Sequence, residues 1–115
     1  RTEMVQDDKT RIRRSEPPTL AYLIATNGRR AGDAHQLSSN FLIGRSGACD
    51  LRIDDDLVSE EHARIRKDDE SGGFVISDLA STNNTTVNGE EISRVTLQTD
   101  DRVQIGDQVL VFKQL

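Results

Sequence analysis

Turn signals set the rhythm of this chain and restrict what it can fold into. Asn27-Gly28, Asp54-Asp55-Asp56, Asp68 to Gly73, Asn83-Asn84, Asn88-Gly89, Asp100-Asp101 and Gly106-Asp107 punctuate it, at roughly the 8–12-residue spacing of a β sandwich or barrel. The runs between them are short and apolar or alternating: Leu20 to Ile24, Phe41-Leu42-Ile43, Leu51-Arg52-Ile53, Ala63-Arg64-Ile65-Arg66, Val103-Gln104-Ile105 and Val109 to Phe112. Alternation with period two buries one face of a strand and wets the other. No long helical window interrupts them, and Asn88-Gly89 is the strongest hairpin signal. The expectation is an all-β sandwich of about ten or eleven short, mostly antiparallel strands.

With 115 residues there is room for one domain with a modest core. Hydrophobic residues are 34% and charged residues 30% of the chain, a polarity that suggests part of it does not join the core. The first residues fit that description. Arg1 to Thr19 alternates charges, lacks apolar periodicity and ends near Pro17-Pro18, so 1–19 reads as a flexible or extended arm and 20–115 as the domain.

Residues 1–18 carry five basic and four acidic side chains, a net of +1, and the remainder carries ten basic and sixteen acidic, a net of −6. An acidic domain with three Phe and one Tyr has neither the basic stripe nor the stacking platform of a nucleic-acid binder. Cys49 is the only cysteine, which excludes an internal disulfide and a cysteine-rich metal site and fits a reducing, cytoplasmic setting. Asp54-Asp55-Asp56 lacks calcium-loop spacing and reads as a solvated turn. The sequence implies no metal and no cofactor. No apolar run approaches the length that spans a bilayer, so no membrane insertion is expected of this chain, which reads as a possible fragment of a larger protein.

Three polar segments fall where the chain turns: Gly44-Arg45, Ser59-Glu60-Glu61-His62 and Ser81-Thr82-Asn83-Asn84-Thr85. Taken alone, Arg45 is an ordinary surface arginine or a planar fork for bidentate capture of phosphate or carboxylate; Gly44 before it would let the chain turn sharply. Ser59 and His62 invite a nucleophile-and-base reading, but there is no nucleophile elbow, no oxyanion glycines and no assignable acid to orient the histidine. No catalytic residue is expected, and His62 reads as a brace for its loop. The third segment is either a polar turn or a set of ligand donors. It matches the N-glycosylation pattern at Asn83 and Asn84, which carries little weight without a secretory signal.

Together these segments resemble the forkhead-associated (FHA) domain over roughly residues 20 to 115. The family pattern reads here as Gly44-Arg45, Ser59 to Ala63, Asp78 to Thr85, Asn88-Gly89 and Ile105-Gly106-Asp107. The resemblance implies an eleven-stranded sandwich that binds phosphothreonine peptides through loops at one end. It implies that Arg45 and Ser59 hold phosphate oxygens, that Thr82 adds a hydroxyl contact or lines the pocket for the threonine methyl, and that Asn83 bonds the peptide backbone. Gly44 and His62 would shape the loops, and Leu57 and the loop before Ser59 would influence selectivity. The implied partners are a phosphothreonine protein and, upstream, a Ser/Thr kinase.

Three positions depart from the pattern. Glu60 stands where many members carry Arg, Lys or Asn; a carboxylate there either points away from the phosphate or weakens its binding. Asn84 and Asp100 replace family glycines, and both residue types tolerate positive φ. The competing reading is a phosphate-independent interaction scaffold on the same fold. The arm adds a ligand in cis, through Thr10 in a kinase-accessible setting.

Overall fold

Where the side chains alternate, strands form. In the computed structural model, which describes residues 20–115, eleven strands are present: β1 (Ala21–Ala25), β2 (Ala34–Gln36), β3 (Asn40–Gly44), β4 (Leu51–Arg52), β5 (Ala63–Lys67), β6 (Phe74–Asp78), β7 (Thr85–Val87), β8 (Glu90–Ile92), β9 (Arg94–Leu97), β10 (Arg102–Ile105) and β11 (Gln108–Gln114). The arm expected at 1–19, including Thr10, lies outside the described residues.

The strands form two sheets, one in the order β9-β6-β5-β3-β4 and the other β2-β1-β11-β10-β7-β8. All pairings are antiparallel except β3 with β4, which is parallel. The alternation of Leu51-Arg52-Ile53 is real, but only Leu51–Arg52 is strand. Its parallel register places Ile43 beside Leu51 and Gly44 beside Arg52, because the chain from Gly44 to Leu51 loops back instead of reversing in a hairpin.

The sheets face each other across Leu23, Phe41, Ile43, Ile65, Phe74, Ile76, Val103, Ile105, Leu110 and Phe112, all buried. Phe74 of β6 and Phe112 of β11 meet with ring centroids 5.9 Å apart, tilted by 60°, so one aromatic pair joins the two layers. Such tilted contacts add about 0.5–1.5 kcal/mol beyond the area they bury. Outward positions follow from the register. Arg64 and Arg94 both lie beside Ser77, and Arg66 and Thr96 both lie beside Val75.

At Asn88-Gly89 the backbone takes φ of 54° and 85°, the left-handed pair of a type I′ turn that suits the twist of a hairpin. Directly after β8 the chain changes sheets. Ser93 O accepts the Asp78 backbone N–H at 2.8 Å, and β9 continues along β6. Loops 45–50, 53–62 and 79–84, with the turns at Asn27-Gly28 and Gly106-Asp107, gather at one end of the sandwich.

Candidate functional site

The three segments singled out in the sequence converge at that end, joined by backbone–backbone bonds and by side chains bonded to backbone groups. Arg45 N donates to Ser59 O at 3.0 Å and Ser46 N to Glu60 O at 3.1 Å, so the β3–β4 loop lies directly on the loop before β5. The contact is too close for a side chain at Gly44: a Cβ there would sit 2.2 Å from Glu60 O and 3.0 Å from Cys49 Sγ. The expectation of a sharp turn at Gly44 is replaced by this one. Gly44 does not take a positive φ; it is needed because the neighbouring backbone occupies the space.

Arg45 is half-exposed, and its Nε donates to Val58 O at 3.0 Å. That bond fixes the plane of the guanidinium. Among the described residues only Glu60 Oε2 approaches the terminal nitrogens as an ion-pair partner, at 3.8 Å from Nη2. Glu60 therefore turns toward the cation, not away from it. Arg52 Nε donates to Arg45 O at 3.0 Å, and its Nη2 lies 3.7 Å from Asp54 Oδ1.

Ser59 and His62 are neighbours, but not as nucleophile and base. The Ser59 backbone N–H donates to His62 Nδ1 at 3.0 Å, and His62 Nε2 lies 2.9 Å from Asn84 O. Because Nδ1 accepts, the ring proton belongs on Nε2, which donates to that carbonyl. His62 is fully buried, and it connects the two loops through backbone groups that would otherwise lack partners. The Ser59 hydroxyl instead accepts the Thr82 backbone N–H at 3.1 Å; its own proton is left for another acceptor.

In the 79–84 segment the hydroxyls divide. Ser81 Oγ and Thr85 Oγ1 both donate to Asp78 Oδ1, at 2.5 and 2.8 Å, and Ser81 N donates to Asp78 Oδ2 at 3.0 Å. Burial opposes ionisation of Asp78, yet these bonds and the nearby His62 outweigh it and hold the carboxyl below the ordinary range. Thr85 is buried, whereas Thr82 and Asn83 are exposed. Asn83 Nδ2 donates to Leu57 O at 3.0 Å, tying this loop to the exposed Leu57. Asn84 has φ of 66° and Asp100 of 79°, as their residue types predict. Ala80 is also left-handed, at 55°, held between Leu79 N bonded to His62 O and Ser81 N bonded to Asp78. A non-glycine residue there costs of order 1–3 kcal/mol.

Asp78, which the sequence shows only as the first residue of a family segment, and Asp55, read there as part of a solvated turn, are instead structural residues. Asp55 accepts Leu57 N and Asp107 N, both at 2.9 Å, and those two amide bonds hold its carboxyl below the usual range. Gly106, with φ of 61°, packs against Asp55 and Val58, so the final turn of the sandwich supports the loop that carries Ser59. Cys49 Sγ donates to Glu60 O at 3.3 Å, and burial raises the thiol, helped by Glu61, Asp50 and Glu60. Among the described residues no cluster of three metal-ligating side chains is present, and no helix is long and apolar enough to cross a membrane.

The FHA domain family model matches residues 41–106, the stretch that contains all three loops. The chain belongs to the FHA domain family. Among the relatives, the glycogen accumulation regulator GarA of Mycobacterium tuberculosis is 37% identical over 97 residues, covering 84% of this chain and 59% of GarA. The chain thus spans about three fifths of the length of that regulator. Among solved structures, an FHA domain described for phosphothreonine-dependent interactions superposes with a TM-score of 0.74 at 29% identity, covering 82% of this chain and 95% of that one. EmbR of Mycobacterium tuberculosis, solved with a low-affinity phosphopeptide, superposes with a TM-score of 0.73 at 34% identity, covering 82% of this chain and 24% of EmbR.

Proposed function

We propose that this FHA domain recruits a partner protein by binding a phosphothreonine segment across the 45–50, 53–62 and 79–84 loops. The observation that carries the reading is the Ser59 hydroxyl held against Thr82 N at 3.1 Å, beside a guanidinium whose Nε is already committed to Val58. The terminal nitrogens of Arg45 and the proton of Ser59 are then the donors for phosphate oxygens. Thr82 contributes its hydroxyl or its methyl, and Asn83 bonds the peptide backbone. Gly44 and His62 keep the loops in this arrangement, and the exposed Leu57 contacts residues beside the phosphothreonine. A phosphothreonine brings about −1.5 to −2 charges and three acceptor oxygens, a match for one forked cation and neighbouring neutral donors.

The ligand is made by an upstream Ser/Thr kinase acting on the partner. One candidate lies in the chain itself: Thr10, once phosphorylated, would compete at high effective concentration. Arm resonances that keep their line widths after phosphorylation of Thr10 would overturn that part.

The test is a calorimetric titration of one threonine peptide in phosphorylated and unphosphorylated forms. Charge-assisted hydrogen bonds are worth roughly 1.5–3 kcal/mol each, so the phosphorylated form is expected to bind and Arg45→Ala to weaken it by about ten- to a hundredfold. Equal affinity for the two forms would favour the phosphate-independent scaffold. An oriented phosphothreonine library would then define the flanking preference.

A further inference from the structure

The outer face of the five-stranded sheet has a charge pattern opposite to that of the chain. Arg64 and Arg66 project from β5 and Arg94 from β9, with Arg64 and Arg94 in register on either side of Ser77. Their register neighbours on this face are Asn40, Leu42, Val75, Ser77 and Thr96; one strand further, at the sheet edge, the Asp50 carboxylate accepts the Leu42 N–H at 2.8 Å. Arg64 Nη1 donates to Asn40 Oδ1 at 2.5 Å, and among the described residues no acidic side chain pairs with any of the three arginines. The whole chain nonetheless carries a net charge of −5. Concentrating on one sheet face like charges that no described carboxylate pairs with costs stability through self-repulsion, and an oppositely charged partner would remove that cost.

The spacing suits an extended polypeptide. Arg64 and Arg66 are two residues apart on one strand, roughly 6.6–6.8 Å, and Arg64 and Arg94 are two strand spacings apart, roughly 9.5 Å. Carboxylates at alternate residues of an extended segment repeat at the first distance. The face is also continuous with the loop site, because β5 begins at the residue after His62 and Arg52 of the same sheet bonds to the Arg45 carbonyl.

We propose that this face is a second docking surface, for a carboxylate-rich segment of the same partner that presents phosphothreonine to the loops. The shared-partner clause rests on the function proposed above. A polypeptide is favoured over nucleic acid because three arginines neutralise few phosphates, whereas the two-residue spacing of Arg64 and Arg66 matches alternate side chains of an extended segment. It is favoured over a membrane because the face offers no aromatic side chain to insert.

Calorimetry tests this with a phosphothreonine peptide that carries, or lacks, an oligoglutamate tract on a flexible Gly/Ser spacer, placed before or after the phosphothreonine. At low ionic strength the tract on at least one side is expected to tighten binding by about three- to thirtyfold, and high salt should erase the gain. The combined variant R64Q/R66Q/R94Q should lose the gain while binding the plain peptide as before. No gain from either tract, or a gain that survives in the variant, overturns the proposal. Should the plain phosphopeptide fail to bind, the loop reading falls by itself. Free oligoglutamate is then followed by NMR, where shifts confined to β5, β6 and β9 support the second surface and unmoved resonances overturn it. Single-stranded DNA or anionic phospholipid vesicles that occupy this face more tightly than oligoglutamate overturn the choice of partner.

Discussion

The Glu60 carboxylate stands 3.8 Å from the guanidinium of Arg45, with 70% and 39% of the two side chains exposed. An exposed pair like this contributes little to folding. Its consequence falls on the ligand, because a phosphate arriving at Arg45 meets a carboxylate already beside it. At about 4 Å two unit charges in water interact by roughly 1 kcal/mol, a factor of about five in affinity. Glu60→Gln is therefore expected to tighten phosphothreonine-peptide binding about two- to fivefold, and Glu60→Arg by more, with the melting temperature nearly unchanged. Weaker binding by both variants would mean that Glu60 contacts the ligand favourably.

Gly44→Ala isolates the close approach of the β3–β4 loop to Glu60. The added Cβ would sit 2.2 Å from Glu60 O and 2.9 Å from Glu60 C, and backbone atoms yield less readily than a side-chain tip. Forced overpacking of this kind costs typically 1–3 kcal/mol. Relief requires Arg45 and Ser59 to separate, so peptide affinity should fall by about tenfold or more alongside a lower melting temperature. A variant with unchanged melting and unchanged binding would show that the loop adjusts without cost.

How far the sequence revealed this molecule depends on whether a feature is local. Turn chemistry is local: Asn88-Gly89 predicted the I′ hairpin, and Asn84 and Asp100 were expected at positive φ and have it. Alternation marked β5 and β10, because burial on one face leaves a period of two, and short apolar runs marked β3 and β11. The parallel β3–β4 pair and the change of sheet before β9 left no such trace, since pairing partners are set by contacts far apart in sequence. Within the site, the polar segments were visible as segments. The division of labour within them was not. Ser81 and Thr85 resemble Thr82 in a string of hydroxyls, and only the position of Asp78 shows that those two are occupied internally. Asp55 supports a turn 52 residues away, beyond any local pattern, and nothing in the sequence singles out Ala80 as left-handed.

His62 gives a prediction that separates bracing from catalysis. His62→Ala leaves the Ser59 N–H and the Asn84 carbonyl without the partners they now have at 3.0 and 2.9 Å, and opens a cavity in a fully buried position. Unsatisfied buried groups cost about 1–3 kcal/mol each. Loss of about 3 kcal/mol or more in urea unfolding is expected, with faster amide exchange at Ser59 and in the 79–84 loop. A melt like that of the parent chain would remove His62 from the framework.

Asp78 makes the site loop sensitive to acid, and the sign follows from its hydrogen bonds. Its carboxyl is held below the ordinary range although burial opposes this, through Ser81, Thr85 and the nearby His62. A depressed carboxyl contributes stability that is fully present above the unfolded-state value, about 3.9, and is lost as pH falls from there through the lower folded-state value. Urea unfolding should therefore show stability declining below about pH 4. Asp78→Asn should be less stable near neutrality and show a shallower decline in acid, because the amide keeps one acceptor oxygen but not the charge. The same variant should loosen the 79–84 loop, since Ser81 Oγ, Ser81 N and Thr85 Oγ1 all depend on this carboxylate. Asp55 is also held low, by the amides of Asp107 and Leu57, so a residual acid dependence should persist in Asp78→Asn and shrink further when Asp55→Asn is added. An acid profile unchanged by Asp78→Asn would place the coupling elsewhere.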